Sequence, residues 1–274
     1  MRIDSHQHFW QFDPVRDAWI DSSMQKIATD FLPKDLIPLL EQNQMDGCVA
    51  VQADQSEVET QFLLDLAEQN SFVKGVVGWV DLRDDKLSDR LEFFSKNPLF
   101  KGVRHVVQAE KEGFMLQDSF LRGIRQLKDF NLTYDILIYP HQLEEAIVMV
   151  EKNPDQPFVL DHLAKPYIKD QKIEEWASHI KKLAKHKNVY CKLSGMITEA
   201  DWNHWQAKDF DNYLSEALEA FGPDRLMYGS DWPVCLLAGS YQHVVKIIEL
   251  FLKELKPIDQ NKIMGENARN FYKL

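Results

Sequence analysis

Two histidines one residue apart near the start of the chain, His6 and His8, are the first residues whose spacing suggests chemistry. On a strand, residues two apart face the same side, so Asp4, His6 and His8 would share a face. Two imidazoles a pleat apart can hold one metal ion; equally, they can be core histidines satisfied by hydrogen bonds. Far along the chain, Asp231 ends the apolar run Leu226-Met227-Tyr228-Gly229-Ser230-Asp231. A carboxylate there is costly to bury alone and needs a metal or hydrogen-bond donors. Its plainer role is a turn or helix cap before Pro233. A metal-bound water beside such a carboxylate can lose its proton near neutral pH, because the cation lowers the water's pKa toward ~7.

Other reactive side chains follow apolar runs in the same way. His162, in Val159-Leu160-Asp161-His162, is a candidate metal ligand or proton-transfer group, or a core histidine. Arg104, in Gly102-Val103-Arg104-His105, can polarise a carbonyl or fork onto a carboxylate, or simply form a structural ion pair. Lys165 and Lys192 are candidates of the same kind, and His105 is a further substrate-contact candidate. His141 follows Tyr139-Pro140 and either faces the site or begins a helix. Trp10, Trp79 and Trp232 can wall a pocket or merely pack. His179, His186, His204 and His243 fall on helical or loop stretches and are expected to face solvent.

These residues need a frame to bring them together. Eight short apolar runs read as strands: Arg2–His8, Gly47–Gln52, Val73–Leu82, Lys101–Val107, Thr133–Tyr139, Phe158–His162, Val189–Leu193 and Leu226–Asp231. They are continuous rather than alternating, as in parallel strands covered by helices. Between them the apolar residues take helical spacing, for example Tyr241, Val244, Val245, Ile248, Phe251, Leu252 and Leu255. Eight such units in 274 residues predict an α/β fold, one single (β/α)8 TIM-type barrel spanning 1–274. Barrel chemistry sits at the C-terminal ends of strands, where the candidates lie. Closure would set the last strand beside the first, and so Asp231 beside His6 and His8. The segments Gln11–Phe31 and Met196–Asp209 read as long loops over that mouth.

The rest of the sequence narrows the class. With 32 basic and 43 acidic residues the net charge is −11, which argues against nucleic acid or an anionic membrane as partner and leaves a small-molecule substrate. The three cysteines, Cys48, Cys191 and Cys235, are far apart and form no CxxC pair, so no disulfide framework is expected. Neither an apolar leader nor a stretch near the ~18 residues of a membrane span is present, and a cytoplasmic protein is expected. There is no GxGxxG, Walker or GxSxG motif. A homo-oligomer is left open.

Taken together, Asp4-Ser5-His6-Gln7-His8-Phe9-Trp10, Gly102-Val103-Arg104-His105, Leu160-Asp161-His162-Leu163-Ala164-Lys165-Pro166, Lys192-Leu193-Ser194-Gly195 and Gly229-Ser230-Asp231-Trp232-Pro233 resemble the amidohydrolase-related (amidohydrolase 2) family. The match is nearest its sugar-lactonase branch, which includes L-fuconolactone and L-rhamnonolactone hydrolases, and it covers essentially the whole chain. The resemblance implies a distorted barrel that hydrolyses a lactone C–O bond. It implies one divalent metal, zinc, at His6, His8 and Asp231, with Asp231 and His162 catalytic. It makes Arg104 a substrate contact, and His105, Trp10, His141 and Lys165 complete the substrate-contact candidates from their own positions after the strand runs. The chain departs from metal-dependent members at the end of strand 5, where Tyr139-Pro140 stands in place of a histidine, and no carboxylated lysine is evident. A single-metal site follows. A decarboxylase or amide hydrolase on the same scaffold, or a silent ligand-binding barrel, are the alternative readings.

Overall fold

The alternation of apolar runs and amphipathic stretches resolves into eight strands wound in chain order, in a computed structural model that describes residues 1–274. The strands are β1 (Ile3–Gln7), β2 (Gly47–Val51), β3 (Val73–Gly78), β4 (Phe100–Val106), β5 (Thr133–Leu137), β6 (Phe158–Leu160), β7 (Val189–Leu193) and β8 (Leu226–Tyr228). Each pairs in parallel with the next. The ring is completed just past β8, where Asp231 N donates to His6 O (2.8 Å) and His8 N donates to Trp232 O (2.7 Å). The single α/β barrel expected from the pattern is the fold observed.

Helices wrap this ring: α1 (Pro33–Gln42), α2 (Glu57–Gln69), α3 (Leu87–Ser95), α4 (Asp118–Leu127), α5 (Leu143–Glu151), α6 (Glu174–Leu183), the short α7 (Met196–Glu199), α8 (Asp211–Phe221), α9 (Tyr241–Leu252), α10 (Pro257–Asn261) and α11 (Asn267–Tyr272). Their sequences explain their starts and faces. Ser56 caps α2 by accepting from Glu59 N, with Glu57 and Glu59 in the first turn, where acids suit the helix dipole. In α9, capped by Ser240, the buried residues Tyr241, Val244, Val245, Ile248 and Leu252 follow the expected stripe, while Phe251 and Leu255 end it half-buried. No helix is long and apolar enough to cross a membrane.

Strand alternation sorts side chains into two populations. Outward residues such as Cys48, Ala50, Val76, Val103, Tyr134, Ile136 and Tyr228 join the large core between strands and helices. Inward residues form a smaller core of Ile3, Val49, Val51, Val77, Val159 and Met227, closed from below by Ala268, Phe271 and Tyr272 of α11. Above that apolar plug the interior turns polar. Asp135, Lys192, Asp161, Arg104 and His6 fill the next layer, all buried.

β1 departs from simple alternation. Its register shifts between Asp4 and Gln7, so one stretch of β1 spans more residues than its partner β2. Ile3 therefore joins the inner core, whereas Asp4 lies against the helix layer, accepting from Ser230 N (2.8 Å) and His6 N (3.2 Å). The expectation that Asp4 shares a face with His6 and His8 is corrected by this bulge.

Candidate active site

At the C-terminal mouth of the barrel lies a cavity of about 640 Å³. Its floor carries His8, His162, Arg104 and Asp231, with His6 just beneath. His6 Nε2 lies 3.2 Å from His8 Nε2, and Asp231 Oδ1 lies 3.4 Å from His8 Nε2 and 3.9 Å from His6 Nε2. Closure of the ring sets this arrangement, since the backbone of Asp231 bonds to that of His6.

The donor chemistry of this triad fits a divalent cation. His8 Nδ1 lies 2.7 Å from Val51 O, an obligate acceptor, so that nitrogen carries the proton and Nε2 turns a lone pair inward. Burial, opposed by the Asp231 carboxylate, holds His8 below its usual range, and burial together with the Lys192 cation holds His6 well below it. Both imidazoles are thus neutral at physiological pH, the form that ligates. Asp231 is buried, yet its carboxyl is held below the ordinary range; the burial penalty is outweighed by the facing His162 ring and the Lys165 ammonium. Donor separations of 3.2 to 3.9 Å match neighbouring ligands on metal bonds of about 2.0–2.2 Å.

The opposite wall is built differently. Strand β6 stops at Leu160, two residues earlier than its apolar run suggests, and His162, Leu163, Ala164 and Lys165 then all take left-handed φ values of 51 to 58°. This conformation costs a non-glycine residue roughly 1–2 kcal/mol, so a run of them must be held from outside. Lys165 N closes the turn on His162 O (2.7 Å), and the buried Trp176 indole of α6 donates to Leu163 O (2.6 Å). Ser194 Oγ contacts His162 Nδ1 at 2.8 Å. Gly195, itself at φ 65°, leaves room for the His162 ring, since a Cβ there would stand 2.6 Å from Nδ1. The result is a His162 Nε2 3.7 Å from Asp231 Oδ1 and a Lys165 ammonium on the same cavity wall. Burial, reinforced by His6 against the pull of Asp231, keeps His162 well below its usual pKa and hence neutral.

Beneath both walls lies a sealed ionic layer. Lys192 Nζ is 2.5 Å from Asp135 Oδ2, 2.9 Å from Asp161 Oδ1 and 3.0 Å from His6 Nδ1, all fully buried. Asp161 also meets His6 Nδ1 (3.3 Å) and Arg104 Nη1 (3.2 Å), and Tyr272 OH donates to Asp135 Oδ2 (2.7 Å). Burial pushes the Asp135 carboxyl up to about 6 against the opposing Lys192 cation.

The sequence candidates divide accordingly. His6, His8, Asp231, His162, Arg104, Lys165 and Trp10 come together in or directly under the cavity. His105 does not: Arg104 points inward, so its neighbour points out, where it contacts Glu110 (2.8 Å) and Trp79 and stacks on Phe114. His141 does not either; it is exposed at the start of a short 3₁₀ turn and stacks on Tyr139. Both leave the substrate-contact set. Arg104 is occupied by Asp161 and Gln52 O, which is its ion-pair reading. Trp79 and Trp232 pack rather than line the cavity, whereas Trp10 lines it with Trp19 and Trp202 from the two long mouth segments. His179 is buried against Glu144 rather than solvent-facing. Sequence reasoning missed Asp161, Asp135, Glu199 and Tyr272. Asp161 and Asp135 had a signal, an acid inside an apolar strand run; Tyr272 and Glu199 had none.

Residues 3–274 match the family model described as Amidohydrolase. The chain is 37% identical to an L-fucono-1,5-lactonase of Burkholderia multivorans, covering 100% of this chain and 96% of the relative. It is 34% identical to an L-fucono-1,5-lactonase of Burkholderia ambifaria, with the same coverage. Among solved structures, an amidohydrolase of Burkholderia multivorans with bound zinc superposes with a TM-score of 0.98 at 37% identity, covering 100% of this chain and 99% of that one.

Proposed function

The chain belongs to the amidohydrolase family, and from that premise we propose that it is a metal-assisted lactonase, opening L-fucono-1,5-lactone or a closely related sugar lactone to its aldonate. The observation that carries this reading is the Asp231 carboxylate on the cavity floor, with three neutral imidazole nitrogens within 3.9 Å of Oδ1. His6, His8 and Asp231 would hold one divalent cation, zinc by analogy with the zinc-bound relative. When bound, such an ion supplies Lewis acidity and a more acidic water.

The residues of the chain then divide the work. Asp231, ionised at neutral pH, accepts the proton of the attacking water as its oxygen adds to the lactone carbonyl. His162, neutral and fixed by Ser194, presents Nε2 to the cavity, where an N–H stabilises the oxygen on which charge develops. As the ring C–O bond breaks, the proton held by Asp231 passes to the departing alkoxide. The balance is lactone plus water giving aldonate plus one released proton. Trp10, Trp19 and Trp202 supply flat walls for a sugar ring. Three buried thiols without a disulfide suit a reducing compartment, and we place the protein in the cytoplasm.

Proton release on addition of L-fucono-1,5-lactone, read with a pH indicator, tests the activity. Turnover should vanish on chelation and return with zinc. Inert lactones beside a turned-over aryl carboxylate or amide would replace this reading with a decarboxylase or an amide hydrolase. Bound metal unchanged in His6→Ala/His8→Ala protein would remove the ligand assignment.

A further inference from the structure

The cavity carries two cations and three carboxylates: Arg104 and Lys165 against Asp54, Glu199 and Asp231. Neither cation is free. Arg104 is bound to Asp161 and to Gln52 O. Lys165 Nζ stands 3.1 Å from Glu199 Oε1, with the two side chains 19% and 21% exposed on the cavity wall. Lys165 reaches that wall only because its backbone takes the left-handed conformation that ends the turn after β6. Glu199 is fixed in its turn at the end of α7, and its carbonyl accepts from Lys169 N (3.0 Å), which ties the segment after the turn to α7. An ion pair shielded from bulk water and assembled from two such constrained elements is unlike the exposed pairs elsewhere on the surface, which contribute little.

We propose that Glu199 is a specificity-determining residue: by clamping Lys165 it keeps a free ammonium out of the cavity, so the site takes a neutral lactone and rejects the aldonate it produces. The proposal rests on the lactonase reading. A neutral polyhydroxylated ring can donate to the Glu199 carboxylate and accept from the Lys165 ammonium without breaking their pair. Hydrolysis changes this balance, because it creates a carboxylate where the lactone carbonyl stood, beside the carboxylate of Asp231. With Lys165 already neutralised, that wall offers the new anion no partner. The product carboxylate is therefore not retained by that wall. Lys165 also stays protonated, since burial is outweighed by Glu199 and Asp231.

The test uses the metal-loaded full-length protein and L-fuconate as the probe, titrated by calorimetry and by the fluorescence of the cavity tryptophans. Glu199→Gln frees Lys165 and should tighten L-fuconate binding about tenfold, the size of one new charge-assisted contact in a half-enclosed site. The same factor should appear as stronger product inhibition of L-fucono-1,5-lactone turnover. Lys165→Met combined with Glu199→Gln should cancel the gain. Any pull of the bound cation on the carboxylate is common to these proteins and drops out of the ratio. Should Glu199→Gln fold poorly, Lys165→Met alone reads the pair from the other side: Glu199 is left uncompensated, and L-fuconate should bind at least about threefold more weakly. L-Fuconate affinity within about twofold of the parent in Glu199→Gln overturns the clamp, as does a gain that survives in the double variant. A parent protein that opens no aldonolactone overturns the lactonase reading and the clamp with it. Turnover with unaltered L-fuconate affinity overturns the clamp alone.

Discussion

The two walls of the cavity reach their geometry by opposite routes. On the β1/β8 side, His6 sits on strand backbone, while His8 and Asp231 follow the ends of β1 and β8, Asp231 as a single left-handed residue (φ 56°), and the hydrogen bonds that close the ring fix them. On the β6/β7 side, His162 and Lys165 are delivered by four consecutive left-handed residues that no strand or helix favours. The first wall is rigid because its ladder is also the barrel. The second is held in place by contacts from outside it, Trp176, Ser194 and Gly195, and carries four left-handed residues to the single one, Asp231, on the first. Substitutions should therefore act on chemistry alone at the first wall, and on geometry and chemistry together at the second.

The sharpest test of the first wall is Asp231→Asn. It preserves shape while removing the base and a ligand, so kcat/KM should fall roughly 10²–10⁴-fold or more with far-UV circular dichroism unchanged. A residual rate within about tenfold of the parent would place the base on the other wall, on His162.

The ionic layer under both walls belongs to neither, and Lys192→Met probes it. Methionine keeps most of the length but takes the cation from Asp135 and one of two from Asp161, which retains Arg104. Breaking a buried pair from one side costs about 3–5 kcal/mol, which for a chain of this size lowers Tm by roughly 10 °C. The pH dependence has a definite sign. With its folded pKa raised to about 6 from 3.8, Asp135 favours folding fully below 3.8, and that contribution is lost as pH rises through about 6. Without Lys192 the folded value rises further, so the deficit of the variant should shrink as pH falls from 7 toward 5. A pH-independent deficit would mean lost packing rather than lost charge.

The contrast between the walls also explains what could be read in the sequence. Strand rules place Arg104 inward because β4 is regular there, and they place His6 and His8 on one side because the two lie beyond the register shift that displaces Asp4. They fail at Asp4, where a register shift turns the side chain to the helix layer. They fail at His105 too, because facing inward or outward is decided by parity, and Arg104 takes the inward place. Asp231 beside His6 follows from closure, a property of the whole ring that no local pattern carries. The turn at 162–165 has no glycine to announce its positive φ; it exists because Trp176 and Gly195, distant in sequence, hold it. Tyr272 reaches Asp135 only after α11 has plugged the barrel floor.

Gly195→Ala strikes the second wall where it is tightest. The new methyl meets the His162 ring at 2.6 Å and sits on a residue at φ 65°. The strain of a left-handed alanine is about 1–2 kcal/mol, and displacement of His162 adds a loss in kcat of about tenfold or more. A stability loss with normal kcat would show that the imidazole can shift without consequence, and would take His162 out of the chemistry.

The smallest expected effect is the most discriminating. Trp176 lies on α6, outside the ring, and does not line the cavity; its hydrogen bond to the site is the indole N–H on Leu163 O. Trp176→Phe keeps most of the aromatic packing against Tyr213 and removes that one bond, worth about 0.5–1.5 kcal/mol. If the left-handed turn is held under strain, losing its strut lets the 162–165 backbone relax, and His162 spends less time opposite Asp231. The expected signature is a fall in kcat of about threefold to tenfold with KM within about twofold of the parent, since ring binding by Trp10, Trp19 and Trp202 is untouched. A purely structural indole would instead lower Tm and leave kcat alone. In that case the turn is fixed by Ser194 and Gly195 from β7's side, and the two walls differ less in rigidity than their backbones suggest.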